Sequence, residues 1–418
     1  MPSDRDDAVN VLIAGGGVAA LEAALALREL GADRLHVELL APERSFWYRP
    51  LAVAEPFALG AVQQFELAKL AADAGAFFTL GELVSVDVTR QLAHTSPGGP
   101  APYSALLIAC GAVPEPAIPG ALTFRGPADT ARIEQLLAEI EAGEVQRVAF
   151  AVPAGAAWTL PLYELALMTA SWLATRRIGG VELSVVTSEN DPLEVFGPDP
   201  SAAVRSLLDE RDIAVHTGVY AAKACPGELL LAGDGIVVCD RVVALPRLQG
   251  PRIGGIPQTV EGFLPVDPHG RVTGTSHVYA AGDITTFPVK QGGIAAQQAD
   301  AAAEAIAADA GVDVTPRPFR PVLRGLLLTG TESRFLRAEL AADAGRKTSL
   351  ASPIPLWWPP AKIAGRQLAP FLARLGGPGD LAGPSEEAGV PVEVELDAED
   401  FDDRRRLLLE GATAKTST

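Results

Sequence analysis

The fold is decided by residues 11–28, which read VLIAGGGVAALEAALALR. The first four residues are apolar and strand-like, three glycines follow, and the remainder is rich in alanine and leucine at helical spacing. This order predicts a strand, a tight turn and a helix. The helix N-terminus would then present unpaired backbone N–H groups, which suit a pyrophosphate. Gly15 would allow the turn, Gly17 would let phosphate approach the backbone, and Ala20 would pack the helix against the strand.

A second strand supports this interpretation. Residues 35–40, which read LHVELL, lie at the distance expected for a β-α-β unit. We therefore predict dinucleotide binding, with a plain α/β turn as the alternative. The acidic residue that commonly holds the adenosine ribose at the end of this strand is replaced by Ala41. Glu43 is the nearest substitute, and an exposed loop carboxylate is the alternative interpretation of it.

The composition is that of a globular protein of two or three domains. The chain has 418 residues, of which 48% are hydrophobic and 21% charged, and its formal net charge is −18. Such a charge repels phosphate backbones, so no nucleic-acid partner is predicted. No apolar run reaches the roughly 18 to 20 residues of a membrane-spanning helix, and the N-terminus lacks the features of a signal peptide. These features predict a cytoplasmic protein.

A second β-α-β unit is predicted from residue 147 onwards, without phosphate-binding chemistry. Its loop, residues 153–163, reads PAGAAWTLPLY. One glycine stands where a pyrophosphate turn needs two or three, two prolines donate no N–H, and the indole of Trp158 lies where phosphate would bind. The strand that follows ends at Thr187 rather than at an acidic residue. We predict that this unit binds no second nucleotide.

Two later segments return to the first domain and close the chain. Residues 277–283 read HVYAAGD and predict an apolar strand ending in Gly282-Asp283, followed by a helix over residues 295–308. This aspartate can accept a hydrogen bond from a sugar-like hydroxyl, and a solvated turn aspartate is the alternative. A further helix is predicted over residues 361–375, either as part of the core or at a membrane interface.

The order of these segments resembles the glutathione-reductase-like flavoproteins, the pyridine nucleotide-disulfide oxidoreductase superfamily, over residues 11–375. The resemblance is carried by the glycine turn, by LIACGA at residues 107–112 and by AAGD at residues 280–283. It implies an α/β fold with two Rossmann-like dinucleotide-binding domains, the first split in sequence, plus a C-terminal segment. The implied bounds are 8–115 and 245–312 for the FAD-binding domain, 120–244 for a degenerate NAD(P)-binding-like domain, 315–376 for the C-terminal segment and 377–418 for an acidic, flexible tail.

The resemblance also implies FAD as the cofactor. In this superfamily the first glycine turn binds the FAD pyrophosphate, and the carboxylate of the Gly-Asp pair binds the ribityl chain. The returning helix points its N-terminus, here Gly292 to Ile294, at the flavin pyrimidine ring, and Val84 would supply a backbone contact on the adenine side. The implied cofactor-binding residues are Gly15, Gly17, Val18, Ala19, Glu43, Arg44, Arg49, Pro50, Val84, Cys110, Gly111, Gly282, Asp283, Gly292, Gly293 and Ile294.

Within the superfamily, the chain is similar to the sulfide:quinone oxidoreductases and the type II NADH dehydrogenases. The Lys-x-Gly pattern at residues 290–292 and PLYE at residues 161–164 resemble the sulfide enzymes, whose second domain does not bind nicotinamide. Sulfide oxidation in that family needs a cysteine pair near the flavin. Cys225 and Cys239 match neither family position, and Cys110 is best explained as a buried small residue. Neither a disulfide framework nor a metal site is predicted.

The combined prediction is an FAD-dependent oxidoreductase that passes electrons between an unidentified small-molecule donor and an acceptor such as a quinone. Lys290, Trp158 and Lys362 are the catalytic candidates, with a surface lysine and plain aromatic packing as the alternatives. The alternative functions are a type II-like NAD(P)H:quinone dehydrogenase and a non-catalytic flavin-bound protein that binds a partner. A peripheral contact of the Trp357-Trp358 segment with the inner face of a membrane stays open, as does the oligomeric state.

Overall fold

The computed structural model describes residues 9–31, 34–340 and 346–376. Its first strand, β1 (Val9–Ala14), leads through the glycine turn into α1 (Val18–Gly31), as predicted. Gly15 makes this turn possible, because its φ of 142° favours glycine and a Cβ there would lie 2.2 Å from the carbonyl oxygen of Ala109. The turn therefore passes in close contact with the end of a neighbouring strand.

The other elements follow along the chain, and the predicted tail over residues 377–418 lies outside the described residues. The helices are α2 (Leu67–Asp73), α3 (Thr130–Glu141), α4 (Leu160–Arg176), α5 (Pro198–Asp209), α6 (Gly292–Asp309) and α7 (Leu368–Arg374). The strands are β2 (Leu35–Ala41), β3 (Ser45–Trp47), β4 (Gln64–Glu66), β5 (Phe77–Leu80), β6 (Glu82–Asp87), β7 (Leu92–Ser96), β8 (Gly99–Pro102), β9 (Ala105–Ile108), β10 (Val113–Pro116), β11 (Leu122–Thr123), β12 (Arg147–Ala151), β13 (Glu182–Val186), β14 (Ile213–His216), β15 (Ala221–Cys225), β16 (Glu228–Leu231), β17 (Ile236–Val238), β18 (Arg241–Ala244), β19 (Pro246–Gln249), β20 (Val278–Ala280), β21 (Val322–Leu327), β22 (Arg334–Leu340) and β23 (Arg346–Ser352).

The first parallel sheet is built from two distant parts of the chain. Its strand order is β20-β9-β1-β2-β5, and every neighbouring pair is parallel. α1 and α6 pack together on one face, and the antiparallel sheet β6-β7-β8 covers the other. Because both faces are covered, β9 is apolar and buried over its whole length, and β1 is apolar and buried from Val11 to Ala14.

A second parallel sheet has the order β11-β18-β12-β13-β14. α4 packs against β12 and β13. The two connections between the sheets, β10 and β19, pair with each other in an antiparallel ribbon. These two Rossmann-like units, the first interrupted by the second, confirm the predicted α/β fold class.

The C-terminal segment forms the antiparallel sheet β21-β22-β23, an irregular run and one short helix. The helix predicted over residues 361–375 is confined to α7, so that prediction was too long. Residues 361–367 stay irregular because they bond to other elements: the N–H of Ile363 donates to the Tyr48 hydroxyl at 3.0 Å, for example. The segment is therefore tied to the first domain instead of to itself.

Trp357 belongs to the core of this segment. Its side chain is 2% exposed, its indole N–H donates to the carbonyl of Ala361 at 3.0 Å, and its ring packs edge-on against Phe335 with centroids 5.0 Å apart. This favours the core interpretation of the residue. Among the described residues, no helix has the length and apolar character that crossing a membrane requires.

Glu22 of α1 fastens the C-terminal segment to the first sheet's helices. Its buried carboxylate accepts hydrogen bonds from the backbone N–H groups of Gln367 at 2.7 Å and Leu368 at 2.8 Å. Burial raises the pKa of this carboxyl to about 7, while the backbone N–H groups and Arg366 act in the opposite direction. Burial also raises the pKa of the neighbouring Asp300 carboxyl, and the charge of Glu22 adds to that effect.

We expect the free energy of unfolding to fall as the pH rises from about 4.5 to about 7. In this interval the folded chain still holds a proton on Glu22 that the unfolded chain has released, so a higher pH favours unfolding. Thermal melts across this interval measure the slope. Glu22→Gln removes the ionisable group and should flatten that slope, and an unchanged slope in this variant would contradict the assignment to Glu22.

Candidate active site

A cavity of about 460 Å³ lies over the first glycine turn, and we call it the glycine-turn cavity. Its wall includes the turn itself and the residues that follow β2, β9 and β20. The carboxyl ends of these parallel strands meet at one edge of the sheet, which is where open α/β sheets bind ligands. The predicted cofactor residues in its wall are Gly15, Gly17, Val18, Ala19, Glu43, Arg49, Pro50, Cys110, Gly111, Gly282, Asp283 and Gly292.

Gly17 leaves space for a ligand in this cavity. A Cβ built on it would meet no atom within 4 Å, so this face of the turn is open. α1 begins at the next residue, Val18, and the first backbone N–H groups of a helix have no partner within the helix. These amides and the positive end of the helix dipole suit a diphosphate. The residues present therefore fit the diphosphate of FAD.

The turn after β20 brings Asp283 into the same cavity. Gly282 has a φ of 83°, and a Cβ on it would lie 3.1 Å from that of Ala19, so glycine lets the strand end approach α1 closely. Burial raises the pKa of the Asp283 carboxyl, while the charges of Lys290 and Arg49 lower it. A carboxylate that lines a cavity can accept a hydrogen bond from a bound hydroxyl, which favours the predicted role over that of a solvated turn residue.

A second cavity, of about 290 Å³, adjoins the first, and we call it the Trp158 cavity. All three predicted catalytic residues, Lys290, Trp158 and Lys362, lie in its wall. The residues that line both cavities are Arg49, Pro50, Asp283, Gly292 and Ile363. A cofactor in the glycine-turn cavity would therefore meet a substrate in the Trp158 cavity across this shared wall.

Lys290 is a buried residue, 7% exposed, and not a surface lysine. Its ammonium lies 4.2 Å from the centroid of the Phe263 ring and donates to the carbonyl of Thr285. Burial lowers the pKa of this ammonium to about 8, and the charge of Asp283 acts in the opposite direction. At neutral pH most of the molecules therefore carry a positive charge at this point of the cavity wall.

Lys362 forms a buried ion pair with Glu164 of α4. The ammonium lies 2.7 Å from both carboxylate oxygens, and the Lys362 and Glu164 side chains are 6% and 0% exposed. Glu164 also accepts the N–H of Leu328 at 2.8 Å, and Lys362 donates to the carbonyl of Pro50 at 3.2 Å. Burial raises the pKa of the Glu164 carboxyl, while Lys362 lowers it. Glu164 was missing from the predicted site, although the PLYE motif could have pointed to it.

Glu189 occupies the place where the second sheet would present a ribose-binding acid. It lies two residues after Thr187 and is 9% exposed. Its carboxylate accepts the hydroxyls of Tyr163 at 2.7 Å, Thr187 at 3.0 Å and Thr159 at 3.1 Å. Trp158, in the loop before α4, packs against Phe196 with ring centroids 5.7 Å apart. Glu189, the acidic residue after β13, is thus already hydrogen-bonded to side chains of its own domain.

Four predicted cofactor residues, Arg44, Val84, Gly293 and Ile294, do not line the glycine-turn cavity. The N–H of Ile294 donates to the side-chain oxygen of Gln291 at 2.9 Å, because Gln291 caps α6. The Ile294 amide is therefore already bonded within the cap, and the role of Gly292 to Ile294 at the flavin ring stays a prediction. The side chain of Val84 is 49% exposed, and its carbonyl accepts the N–H of Gly254 at 3.0 Å. Its role on the adenine side stays a prediction.

The cysteines are not arranged as a redox pair. Cys110 lies in the wall of the glycine-turn cavity and is exposed there, so the prediction that it is a buried small residue was wrong. Burial raises the pKa of the Cys239 thiol to about 11, and Cys225 lies on β15. At neutral pH the buried Cys239 thiol is therefore protonated and a poor nucleophile. Within the described ranges, no group of three or more His, Cys, Asp or Glu residues is placed to hold a metal ion.

Comparisons with known proteins agree with this architecture. A family model described as pyridine nucleotide-disulphide oxidoreductase matches residues 9–305. No match was found among curated proteins.

Three solved structures share the fold at low sequence identity. The sulfide:quinone oxidoreductase of Aquifex aeolicus superposes with a TM-score of 0.73 at 20% identity, over 82% of this chain and 87% of that chain. A NAD-dependent persulfide reductase from A. fulgidus gives a TM-score of 0.57 at 18% identity, over 80% of this chain and 64% of that chain. NDH2 from Plasmodium falciparum, in complex with NADH, gives 0.55 at 17% identity, over 66% of this chain and 64% of that chain.

Proposed function

The chain belongs to the pyridine nucleotide-disulphide oxidoreductase family of FAD-dependent enzymes, and from this premise we propose that it oxidises a small molecule other than NAD(P)H. FAD is held in the glycine-turn cavity, and the substrate binds in the Trp158 cavity. The electrons leave to an acceptor such as a quinone. The observation that carries the proposal is the wall shared by the two cavities, which includes Asp283 and Gly292.

When bound, FAD supplies a ring that accepts and returns electrons. The turn at residues 15–17 and the N-terminus of α1 hold its diphosphate, and Asp283 accepts a hydroxyl of its ribityl chain. Glu43 is an exposed residue that follows β2 and lines the glycine-turn cavity, where its carboxylate can bind the adenosine ribose. Lys290 and the N-terminus of α6 add positive potential beside the shared wall, which stabilises negative charge that develops there.

The loop before α4 supports a donor other than NAD(P)H. A second nucleotide would need free amides at that helix N-terminus and a free acid after β13. Instead, Pro161 stands in the first turn of α4, and Glu189 is bonded to Tyr163 and Thr159. A ribose hydroxyl of NAD(P)H would compete with these hydrogen bonds for the Glu189 carboxylate.

We expect the FAD-loaded protein to stay oxidised when it is mixed with excess NADH or NADPH under anaerobic conditions. Stopped-flow absorbance of the flavin measures this, and photoreduction of the same sample is the control that the flavin is reducible. Photoreduced protein should then be reoxidised by a neutral quinone. Rapid bleaching by NADH would instead favour a type II-like dehydrogenase. No reaction with any quinone, thiol or dye, together with a stably co-purifying protein, would favour a flavin-bound binding protein.

A further inference from the structure

The Trp158 cavity is more basic than the chain as a whole. The chain has a formal net charge of −18, yet four basic and two acidic side chains line this cavity. They are Arg49, Arg125, Lys290, Lys362, Glu164 and Asp283. Because Lys362 and Glu164 neutralise each other, and Asp283 faces both Arg49 and Lys290, the surplus is positive. A positive cavity in an acidic protein concentrates small anions.

Arg125 is held in place by Asp129, a carboxylate that does not itself line the cavity. Its guanidinium donates twice to Asp129, with both nitrogen–oxygen distances at 2.8 Å, and the backbone N–H of Arg125 donates to the same carboxylate at 3.0 Å. Asp129 is fully buried and also binds Arg132, at 3.4 Å. One carboxylate thus serves two guanidinium groups, which leaves one positive charge uncompensated. The Arg125 side chain remains 39% exposed.

The rest of the cavity wall is largely apolar. Apolar residues from loops, from the start of α4, from β19 and from β21 contribute to it, namely Val53, Phe124, Trp158, Leu160, Leu245, Leu248 and Leu326. α4 and α6 also begin in this wall, at Leu160 and Gly292, so the positive ends of two long helices add to the potential of the basic side chains. A ligand that matches this wall has an apolar body and one anionic group.

We propose that the Trp158 cavity selects an organic anion with an apolar body, whose charged group is bound by Arg125. This inference rests on the proposed function, because it names the class of substrate for the same site. The Nε and one Nη2 N–H of Arg125 already donate to Asp129, and the N–H groups that remain on Nη1 and Nη2 can donate two parallel hydrogen bonds to a carboxylate or sulfonate. Asp129 fixes the orientation of this planar fork before the ligand arrives, so little side-chain freedom is lost on binding.

Calorimetric titration of the FAD-loaded protein at about pH 7 tests the proposal with two matched probes. Naphthalene-2-sulfonate carries the anion, and naphthalene-2-sulfonamide presents the same rings without the charge. The sulfonate should bind at least about tenfold more tightly than the sulfonamide. Arg125→Gln should abolish this preference, and Arg125→Lys, which keeps the charge without the fork, should retain part of it.

Arg132→Gln is the matched control. It removes one positive charge beside the same carboxylate, but Arg132 does not line the cavity, so the preference for the sulfonate should survive. Equal affinities of the two probes for the unaltered protein would overturn the proposal. So would equal losses in the Arg125 and Arg132 variants, because the preference would then come from net charge alone. Circular dichroism checks that each variant is folded.

Failure of this inference is distinguishable from failure of the proposed function. If the protein holds FAD and a neutral quinone reoxidises it, but the sulfonate is not preferred, only the anion proposal fails. If the purified protein binds no FAD, the proposed function fails, and the two probes still decide on the flavin-free chain whether Arg125 selects anions.

Discussion

Replacing Gly17 with alanine should weaken FAD binding by at least about a hundredfold while the melting temperature of the flavin-free protein stays within about two degrees. The Cβ would meet no protein atom within 4 Å, so the fold has no reason to change. It would instead project into the glycine-turn cavity, where the diphosphate must approach the backbone closely. Equilibrium titration of the flavin-free protein with FAD, followed by absorbance or fluorescence, measures the loss.

Gly179→Ala is the matched control for this prediction. A Cβ on Gly179 also meets nothing within 4 Å, but the residue lies in the loop after α4 and outside both cavities. FAD affinity should not change in this variant. Asp283→Ala provides a second variant, which should release FAD because it removes the carboxylate that we propose accepts the ribityl hydroxyl. Full flavin content in both Gly17→Ala and Asp283→Ala would contradict the placement of the cofactor.

Replacing Lys362 with methionine should lower the free energy of unfolding by about 3 to 5 kcal/mol. The variant leaves the Glu164 carboxylate buried without its cation, and burying an unpaired charge is costly. Methionine keeps most of the apolar stem, so little packing is lost. Urea denaturation of the folded variant, with the slope of the transition compared with that of the unaltered protein, measures the difference.

The double variant Lys362→Met with Glu164→Gln is the control. It removes both charges and keeps an acceptor for the N–H of Leu328, so most of the lost stability should return. A double variant as unstable as Lys362→Met would show that the loss comes from packing and not from the isolated charge. A single variant with unchanged stability would contradict the description of the pair as buried and coupled.

The first β-α-β unit could be predicted because its signals are local. The apolar strand, the three glycines and the helix formers at residues 11–28 all favour the same structure. The glycines permit the φ values of a tight turn, and the apolar residues after them recur at helical spacing. The strand at residues 277–283 was also predictable, because an apolar run ends there in the local Gly-Asp pair. In the structure this pair lines the glycine-turn cavity. In both segments, the residues that determine the local structure lie within a few positions of one another along the chain.

Other features depend on partners far along the chain, and local patterns do not reveal them. The helix predicted over residues 361–375 has good apolar spacing, but bonds to Tyr48 and Glu22 hold its first half out of helical form. The pairing of Lys362 with Glu164 joins residues 198 positions apart. Neither partner could be assigned to the other without the three-dimensional structure.

The capping of α6 shows a third kind of limit. The resemblance implies that the N-terminus of this helix, Gly292 to Ile294, points at the flavin ring, and the helix does begin at Gly292. The side chain of Gln291 nevertheless turns back to accept the Ile294 N–H. Such a choice of rotamer depends on the packing around the cap, including the hydrogen bond from Gln291 to the carbonyl of Arg324.

The central claim is that the first glycine turn holds FAD and the loop of the second sheet holds no nucleotide. Calorimetric titration tests both parts in one series, first with FAD added to flavin-free protein and then with NADH added to the FAD-loaded protein. We predict one FAD site per chain and no binding of NADH. A chain that takes up no FAD, or an FAD-loaded chain that binds one equivalent of NADH, would contradict the claim.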